Sequence, residues 1–181
     1  MNKKIVVLNG SPRPSGNTSA LIREFVKGAE EAGNSVTAFS LHDMNIKGCM
    51  GCWGGGKNPE NPCAAKDDMD KIYPFYREAD VVVLASPLYY WMISGQLKTA
   101  FDRLFAIAEE DGNHQNPNKS GILLMTAGGD GFEESVYWYE RLMNHIKWKD
   151  LGQVLAANVT QPGDIEQKPE LEKAYELGKA I

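Results

Sequence analysis

Residues Ile5 to Leu21 read IVVLNGSPRPSGNTSAL, and this segment indicates how the whole chain folds. Its first four residues form an unbroken apolar run, which is typical of a strand buried on both faces of a parallel sheet. Asn9 and Gly10 end the strand, a loop with two prolines and several hydroxyl groups follows, and a helical pattern begins near Ser19. A strand, a polar loop and a helix N-terminus together favour anion binding, because free N–H groups and the positive end of the helix dipole point at the anion.

Two common phosphate-binding loops do not match this segment. The triphosphate loop requires Gly-Lys-Ser/Thr, whereas here Asn17 and Thr18 follow Gly16. The dinucleotide loop requires three closely spaced glycines, whereas this loop has only Gly10 and Gly16. Many hydroxyl donors with a single cation, Arg13, suit a terminal monophosphate. The alternative is an ordinary polar turn between a strand and a helix.

The composition indicates one globular domain over residues 1–181, with a cysteine-containing insertion at about 45–68. The net charge of −5 argues against a nucleic-acid partner, which would require a basic face. No apolar run approaches the roughly 18 residues of a membrane span, so we expect no membrane association. The four apolar residues after Lys4 are too few for a secretory signal. Without an export signal, and with an odd number of cysteines, the expected compartment is the cytoplasm.

Strands and helices alternate along the chain. Strands are predicted at Ile5–Leu8, Ser35–Leu41, Val81–Ala85, Ile122–Thr126 and Val154–Val159, and helices at Ser19–Ala32, Met69–Glu78, Ser94–Ala108, Phe132–Lys147 and from Pro169 onwards. This alternation predicts a three-layer α/β fold, in which helices cover both faces of a five-stranded parallel sheet. The flavodoxin-like strand order 2-1-3-4-5 fits this pattern, and it places a ligand at the carboxyl ends of strands one and three.

Two loops at that edge of the sheet have compositions that suit a flat ring. After strand three, Ser86 to Met92 reads SPLYYWM, which supplies aromatic and apolar bulk. After strand four, Thr126 to Gly131 reads TAGGDG, whose glycines let the backbone approach a ligand closely. Aromatic residues are equally typical of a core or of a subunit contact, and that alternative stays open.

Three motifs resemble the NADPH-dependent FMN reductase family of flavodoxin-like proteins: GSPRPSGNT at 10–18, ASPLYYWMISGQLKTAFDR at 85–103 and TAGG at 126–129. The resemblance extends over essentially the whole chain. It implies that the FMN phosphate is bound by Ser11, Arg13, Ser15, Asn17 and Thr18. It also implies that the isoalloxazine is lined by Pro87, Leu88, Tyr89 and Tyr90 and by Thr126, Ala127, Gly128, Gly129 and Asp130. Members of the family are commonly dimers or tetramers with the flavin near a subunit interface, so we expect a homodimer or homotetramer.

All three cysteines fall in an aperiodic segment, residues 45–68, which we call the cysteine segment. Cys49, Cys52 and Cys63, followed by KDDM, resemble the segment that binds a four-iron cluster in iron–sulfur flavoproteins, where C-x2-C-x2-C precedes a fourth cysteine. Here Gly55 stands at the third position. Such a cluster requires four thiolates and a zinc site four ligands, so we expect no metal; the nearby His42 is interpreted as a surface residue. The alternatives for Cys49 and Cys52 are a structural pair of thiols or a redox role.

Together these observations predict an FMN-dependent oxidoreductase. NADH or NADPH would pass a hydride to FMN, and the reduced flavin would reduce an acceptor such as a quinone, free flavin, azo or nitro compound. Because the cofactor carries the chemistry, no catalytic acid or base is assigned, and His114 is interpreted as a solvated loop residue. Two alternatives are a flavodoxin-like electron carrier without a substrate of its own and a flavin-binding regulatory protein.

Overall fold

Five parallel strands form one sheet in the order β2-β1-β3-β4-β5 within residues 2–111 and 116–181, which the computed structural model describes. The strands are β1 (Lys4–Asn9), β2 (Ser35–Ser40), β3 (Val81–Pro87), β4 (Ser120–Thr126) and β5 (Lys149–Ala156). The α-helices are α1 (Asn17–Glu31), α2 (Tyr73–Glu78), α3 (Gly95–Arg103), α4 (Phe105–Ala108), α5 (Glu133–Ile146) and α6 (Glu170–Lys179). The predicted flavodoxin-like fold class is confirmed by this order.

The sheet is buried on both faces because its central strands contain unbroken apolar runs. Along β1, Ile5 and Val7 pack into a core that α1 and α6 cover, whereas Val6 and Leu8 pack into the core beneath α2, α3 and α5. Burial of both faces stabilises the sheet by about 25 cal/mol for each Å² of apolar surface removed from water. The carboxyl ends of β1, β3 and β4 therefore stay fixed relative to one another, and the candidate site lies there.

Helices α1 and α6 cross so closely that neither contact point has room for a side chain. A Cβ built on Gly28 would lie 2.0 Å from the carbonyl oxygen of Tyr175, and one built on Gly178 would lie 2.1 Å from that of Phe25. Because both obstacles are backbone atoms, neither can move aside without shifting a helix. The crossing holds the N-terminus of α1 beside the loop that leads into α6.

We expect Gly178→Ala to lower the free energy of unfolding by about 1–3 kcal/mol, the usual cost of overpacking. Gly95→Ala is the matched control, because no heavy atom of the described residues lies within 4 Å of a Cβ built there. That change should leave stability unchanged or raise it by up to about 1 kcal/mol. Urea unfolding of the two variants and the wild type measures both effects. Equal stability of Gly178→Ala and the wild type would contradict the close crossing.

The prediction of one continuous helix over Ser94–Ala108 is wrong, because the segment divides at Leu104 into α3 and α4. The Arg103 carbonyl accepts a hydrogen bond from the Tyr73 hydroxyl at 3.1 Å, and the Ile107 N–H donates instead to Leu104. The predicted helix Met69–Glu78 likewise becomes a 3-10 turn, Asp68–Lys71, followed by α2. Pro74, which lies in the first turn of α2, has no N–H to continue one helix through both.

The predicted last strand is displaced along the chain. The sequence places it at Val154–Val159, whereas β5 runs from Lys149 to Ala156. Because β5 is an edge strand, it tolerates polar residues, and these residues interrupt the apolar pattern from which a strand is predicted. Asp150 shows this, because its carboxylate accepts hydrogen bonds from the Tyr139 hydroxyl and the Gly152 N–H, both at 2.9 Å.

Candidate functional site

The loop after β1 is fixed to the neighbouring elements at its first residue. The Gly10 N–H donates to the Ala85 carbonyl at 2.8 Å, and the Ser94 hydroxyl donates to the Gly10 carbonyl at 2.8 Å. A Cβ at Gly10 would lie 2.4 Å from Ser94 Oγ and 2.7 Å from Leu97 Cβ, so only glycine fits between β3 and α3. The loop therefore leaves the sheet along one defined path.

The same loop is then folded by its own side chains. The Ser11 N–H donates to Asn9 Oδ1 at 2.9 Å, and the Arg13 N–H donates to Ser11 Oγ at 3.2 Å. The Arg13 carbonyl accepts from the Gly16 N–H at 3.0 Å and from the Ser19 hydroxyl at 2.9 Å. These bonds satisfy the interior of the loop and leave the side chain of Arg13 exposed.

Helix α1 begins without a side-chain cap. Gly16 occupies the N-cap position, no side chain there accepts a hydrogen bond, and the first turn contains no acidic residue. The first N–H groups of an α-helix have no partner within the helix. The N-terminus of α1 therefore presents free donors and the positive end of a 15-residue helix dipole to a ligand.

Two side chains in the first turn of α1 tie the loop to other strand ends. The Thr18 and Thr126 hydroxyl oxygens lie 2.7 Å apart in a buried hydrogen bond, which joins α1 to the end of β4. Asn17 Nδ2 donates to the carbonyl of Gln161 at 2.9 Å, which joins α1 to the loop after β5. Asn17 is only 8% exposed, yet its Oδ1 is buried without a hydrogen-bond partner in the described part of the chain. That acceptor is available to a hydroxyl of a bound molecule.

These loops enclose a polar pocket, which we call the loop pocket. It is lined by Ser11, Arg13, Gly16, Asn17, Thr18, Pro87, Leu88, Tyr89, Thr126, Ala127, Gly128, Val159 and Thr160. Most of the candidate phosphate and ring residues thus lie around one cavity, whereas Ser15 is exposed and does not line it. Three lining residues, Gly16, Val159 and Thr160, were not among the cofactor-binding residues predicted from the sequence. A signal for Val159 and Thr160 was available, because the loop after β5 begins at the same edge of the sheet as the other site loops.

An open pocket adjoins the loop pocket and shares Leu88 and Tyr89 with it; we call it the ring pocket. Its lining is Leu88, Tyr89, Tyr90, Trp91, Gly129, Asp130 and Gly131. The candidate residues Tyr90, Gly129 and Asp130 therefore belong to this second cavity. The two pockets together form one path from the anion-attracting helix terminus to an apolar, aromatic surface.

The aromatic wall of the ring pocket is a tight hairpin. Tyr89 and Met92 exchange two backbone hydrogen bonds, of 2.9 and 3.1 Å, and the residues between them, Tyr90 and Trp91, have φ values of 48° and 61°. Left-handed backbone of this kind is uncommon for large side chains. The Ser135 hydroxyl holds the turn by donating to the Trp91 carbonyl at 2.7 Å. As a result Tyr90 projects into solvent and is 93% exposed.

The opposite wall of the ring pocket is formed by Gly129, Asp130 and Gly131, none of which has an aromatic side chain. Among the described residues, no heavy atom lies within 4 Å of a Cβ built on Gly129. A flat molecule held against the hairpin would therefore keep its other face accessible. The described residues place no histidine or cysteine in the walls, and the exposed Asp130 is the one carboxyl group that lines them.

A third pocket lies in the cysteine segment, at the far end of α3 from the loop pocket. Cys49, Cys52 and Cys63 line it together with Arg103. Arg103 is 1% exposed and forms a buried ion pair with Asp67. Burial alone would raise the pKa of the Asp67 carboxyl, but hydrogen bonds from Arg103 and from the Lys47 and Met69 N–H groups hold it below its usual value.

The remaining candidate residues stand apart from the pockets. Within the part of the chain that the structure describes, no three His, Cys, Asp or Glu side chains are placed to hold a metal ion. His42 is exposed in the turn after β2, as predicted. His114 lies outside the described residues. None of the helices in 2–111 and 116–181 is both long and apolar enough to cross a membrane.

Comparisons with known proteins show the family and the fold of this chain. The model of the NADPH-dependent FMN reductase family matches residues 3–161. An iron–sulfur flavoprotein of Archaeoglobus fulgidus is 30% identical over 181 residues, covering 98% of this chain and 78% of that protein. One of Methanocaldococcus jannaschii is 39% identical over 100 residues, which is 55% of this chain and only 51% of that protein. The solved NAD(P)H:quinone oxidoreductase of Methanothermobacter marburgensis has the same fold, with a TM-score of 0.73, 18% identity and coverage of 99% and 96% of the two chains.

Proposed function

The chain belongs to the NADPH-dependent FMN reductase family, and we propose that it is an oxidoreductase that binds FMN across the loop pocket and the ring pocket. The observation that carries the proposal is the continuity of the two pockets through Leu88 and Tyr89. One end offers an uncapped helix N-terminus for a phosphate, and the other offers an aromatic wall for a flat ring.

The residues present fit FMN on three counts. Ser11, Arg13 and Thr18 would hold the phosphate beside the first turn of α1. The buried Oδ1 of Asn17, which has no partner among the described residues, would accept from a hydroxyl of the ribityl chain. Pro87, Leu88, Tyr89 and Tyr90 would line the ring, as would the 126–130 loop, which places no aromatic side chain over the second face. Ser15, which is exposed and outside the pocket, would contribute least.

Bound FMN would accept a hydride from NADH or NADPH and pass electrons to a small acceptor such as a quinone, free flavin, azo or nitro compound. The chain's own residues hold and orient the cofactor, and they leave one side of the ring pocket open at Gly129. No side chain of the pocket walls is assigned a proton transfer. An open face favours a reductase over a carrier, because a carrier shields the ring and exposes only its edge.

The test is anaerobic mixing of the FMN-loaded protein with saturating NADH or NADPH. We expect oxidised-flavin absorbance to disappear with at least one nicotinamide and to return when a quinone or free flavin is added. Ping-pong steady-state kinetics should follow, because the two substrates would use the same open face in turn. If the flavin stays oxidised with both nicotinamides, the carrier or regulatory alternative is correct.

Arg13→Ala should weaken FMN binding about 10-fold, at the lower end of the 1.5–3 kcal/mol expected for hydrogen bonds to charged groups, because Arg13 is exposed. Ser15→Ala, two residues away in the same loop, is the matched control and should leave the dissociation constant within about 2-fold of wild type. Fluorescence titration with FMN and with riboflavin measures both. Riboflavin binding should be insensitive to Arg13→Ala, and an equal loss for both ligands would show that Arg13 does not contact the phosphate.

We further propose that the acceptor is a small molecule and that the chain forms a homodimer or homotetramer in the cytoplasm. The exposed hairpin at Tyr90 and Trp91 supports a subunit contact, because large aromatic side chains are enriched in interfaces. Sedimentation at several protein concentrations measures the assembly. A strictly monomeric protein that still reduces an acceptor would rule out a neighbouring subunit as a required wall of the ring pocket.

A further inference from the structure

We propose that the cysteine segment of this chain folds without an iron–sulfur cluster and is organised instead by the guanidinium of Arg103. The relatives from Archaeoglobus and Methanocaldococcus are named iron–sulfur flavoproteins, so a cluster would be assumed by similarity. Three observations in the cysteine segment oppose that assumption: the place of the third cysteine, the partner of Cys63 and the arrangement of the thiols.

The first observation concerns Gly55, at the position of the third cluster cysteine. A Cβ built there would lie 1.9 Å from Glu109 Oε2 and 2.9 Å from the Cα atom of Ala106. The glutamate is a flexible side chain and can move, but Ala106 Cα is backbone of α4. One of the four thiolates that a cluster requires is thus missing at position 55. The backbone of α4 also occupies part of the space that a cysteine side chain would need there.

The second observation is that Cys63 already has a polar partner. Arg103 Nε donates to the Cys63 sulfur at 3.3 Å. The other guanidinium nitrogens donate to the Lys47 carbonyl at 2.7 Å, to the Ala65 carbonyl at 3.3 Å and to both Asp67 oxygens at 2.6 and 3.1 Å. One buried cation thus joins both ends of the cysteine segment, which is the organising role that a cluster would have in a loop without regular structure.

The third observation is the exposure and arrangement of the thiols. Cys49 and Cys52 are exposed, whereas Cys63 is partly buried against Arg103. Among the described residues, no three metal-binding side chains converge on one point. A four-iron cluster requires four thiolates, and this segment offers three that do not converge.

The consequence concerns the route of electrons. Ser94, which contacts the loop pocket through Gly10, and Arg103 lie at opposite ends of α3, about 14 Å apart at 1.5 Å per residue. Without a cluster, the cysteine segment adds no second redox centre to the flavin. Electrons would then enter and leave through the ring pocket alone, which suits a small-molecule acceptor.

The experiment measures iron and acid-labile sulfide in the full chain after anaerobic purification, and again after incubation with ferrous iron and sulfide. The control is the variant Cys49→Ser/Cys52→Ser/Cys63→Ser. We expect less than about 0.5 iron per chain in both proteins, unfolding midpoints within a few degrees of each other and the same affinity for FMN. About four irons per wild-type chain, lost in the triple variant, would overturn the proposal. The measurement does not depend on nicotinamide, so its outcome is separate from that of the proposed reductase activity.

Gly55→Cys tests the steric part of the proposal. Because Ala106 backbone occupies the place of the new side chain, this variant should also take up less than about 0.5 iron per chain under the same conditions. Stoichiometric assembly of a cluster in Gly55→Cys would show that the space is available, and it would overturn the steric argument.

Discussion

Arg103→Met should lower the free energy of unfolding by about 3–5 kcal/mol, the cost of removing one partner of a buried ion pair. Both partners are almost fully enclosed, with side-chain exposures of 1% for Arg103 and 0% for Asp67. The variant leaves the Asp67 carboxylate without its cation and the Lys47 and Ala65 carbonyls without their donor. Methionine fills a similar volume, so the loss of stability would come from the unpaired polar groups and not from a cavity.

Lys98→Met in the same helix is the matched control. Lys98 pairs with Asp102 at 2.6 Å, but both side chains are 44% exposed. Exposed pairs contribute about 0–1 kcal/mol, so this variant should unfold within that range of the wild type. Chemical denaturation of both variants measures the contrast. Equal losses in the two variants would show that the Arg103 pair is not buried in solution.

The contribution of Arg103 to the free energy of unfolding should decrease at acidic pH. In the folded protein the pKa of Asp67 lies below its usual value. Such a group contributes stability that is fully present above its unfolded-state pKa and is lost as the pH falls through the folded-state pKa. In Arg103→Met the buried Asp67 lacks its cation, and burial then raises the pKa of that carboxyl, so the stability difference from wild type should shrink as the pH falls towards about 4 and continue to shrink below it.

The sequence was sufficient for those features that depend on local patterns. Apolar runs identified β1, β3 and β4, and alternation with helices gave the strand order that the structure confirms. The loop after β1 was recognisable as a candidate anion site because it is polar and lies next to a helix N-terminus. Candidate residues from three separate loops line adjoining pockets, since parallel strands bring their carboxyl ends to one edge.

Features that depend on contacts between distant residues could not be read from the sequence. The break after Arg103 arises from the Tyr73 hydroxyl, 30 residues earlier in the chain. The hydrogen bond that joins the loop after β5 to Asn17 spans 144 residues of sequence. Arg103 itself belongs to an amphipathic helix, where an arginine is normally exposed, and nothing local indicates that it is buried against the cysteine segment.

Gly129→Phe should slow the reduction of bound FMN by NADH or NADPH about 100-fold or more, measured at saturating FMN. The ring pocket is open on this side, and a side chain at Gly129 meets no heavy atom of the described residues within 4 Å. The backbone there is not left-handed, so phenylalanine fits without strain. The added ring would occupy open space in the ring pocket and displace nicotinamide from hydride-transfer distance, where misplacement of about 1 Å already costs about 100-fold.

Controls separate a blocked face from a damaged site. Gly129→Ala adds only a methyl group and should be reduced within about 2-fold of the wild-type rate. Gly129 lines the ring pocket and not the loop pocket, so all three proteins are compared at saturating FMN and the rates refer to bound flavin only. Dithionite, which needs no stacking site, should reduce the flavin equally fast in all three proteins. If Gly129→Phe is reduced by nicotinamide at the wild-type rate, hydride does not approach the flavin from the Gly129 side. Nicotinamide would then reach the flavin from the side of the hairpin or of a neighbouring subunit.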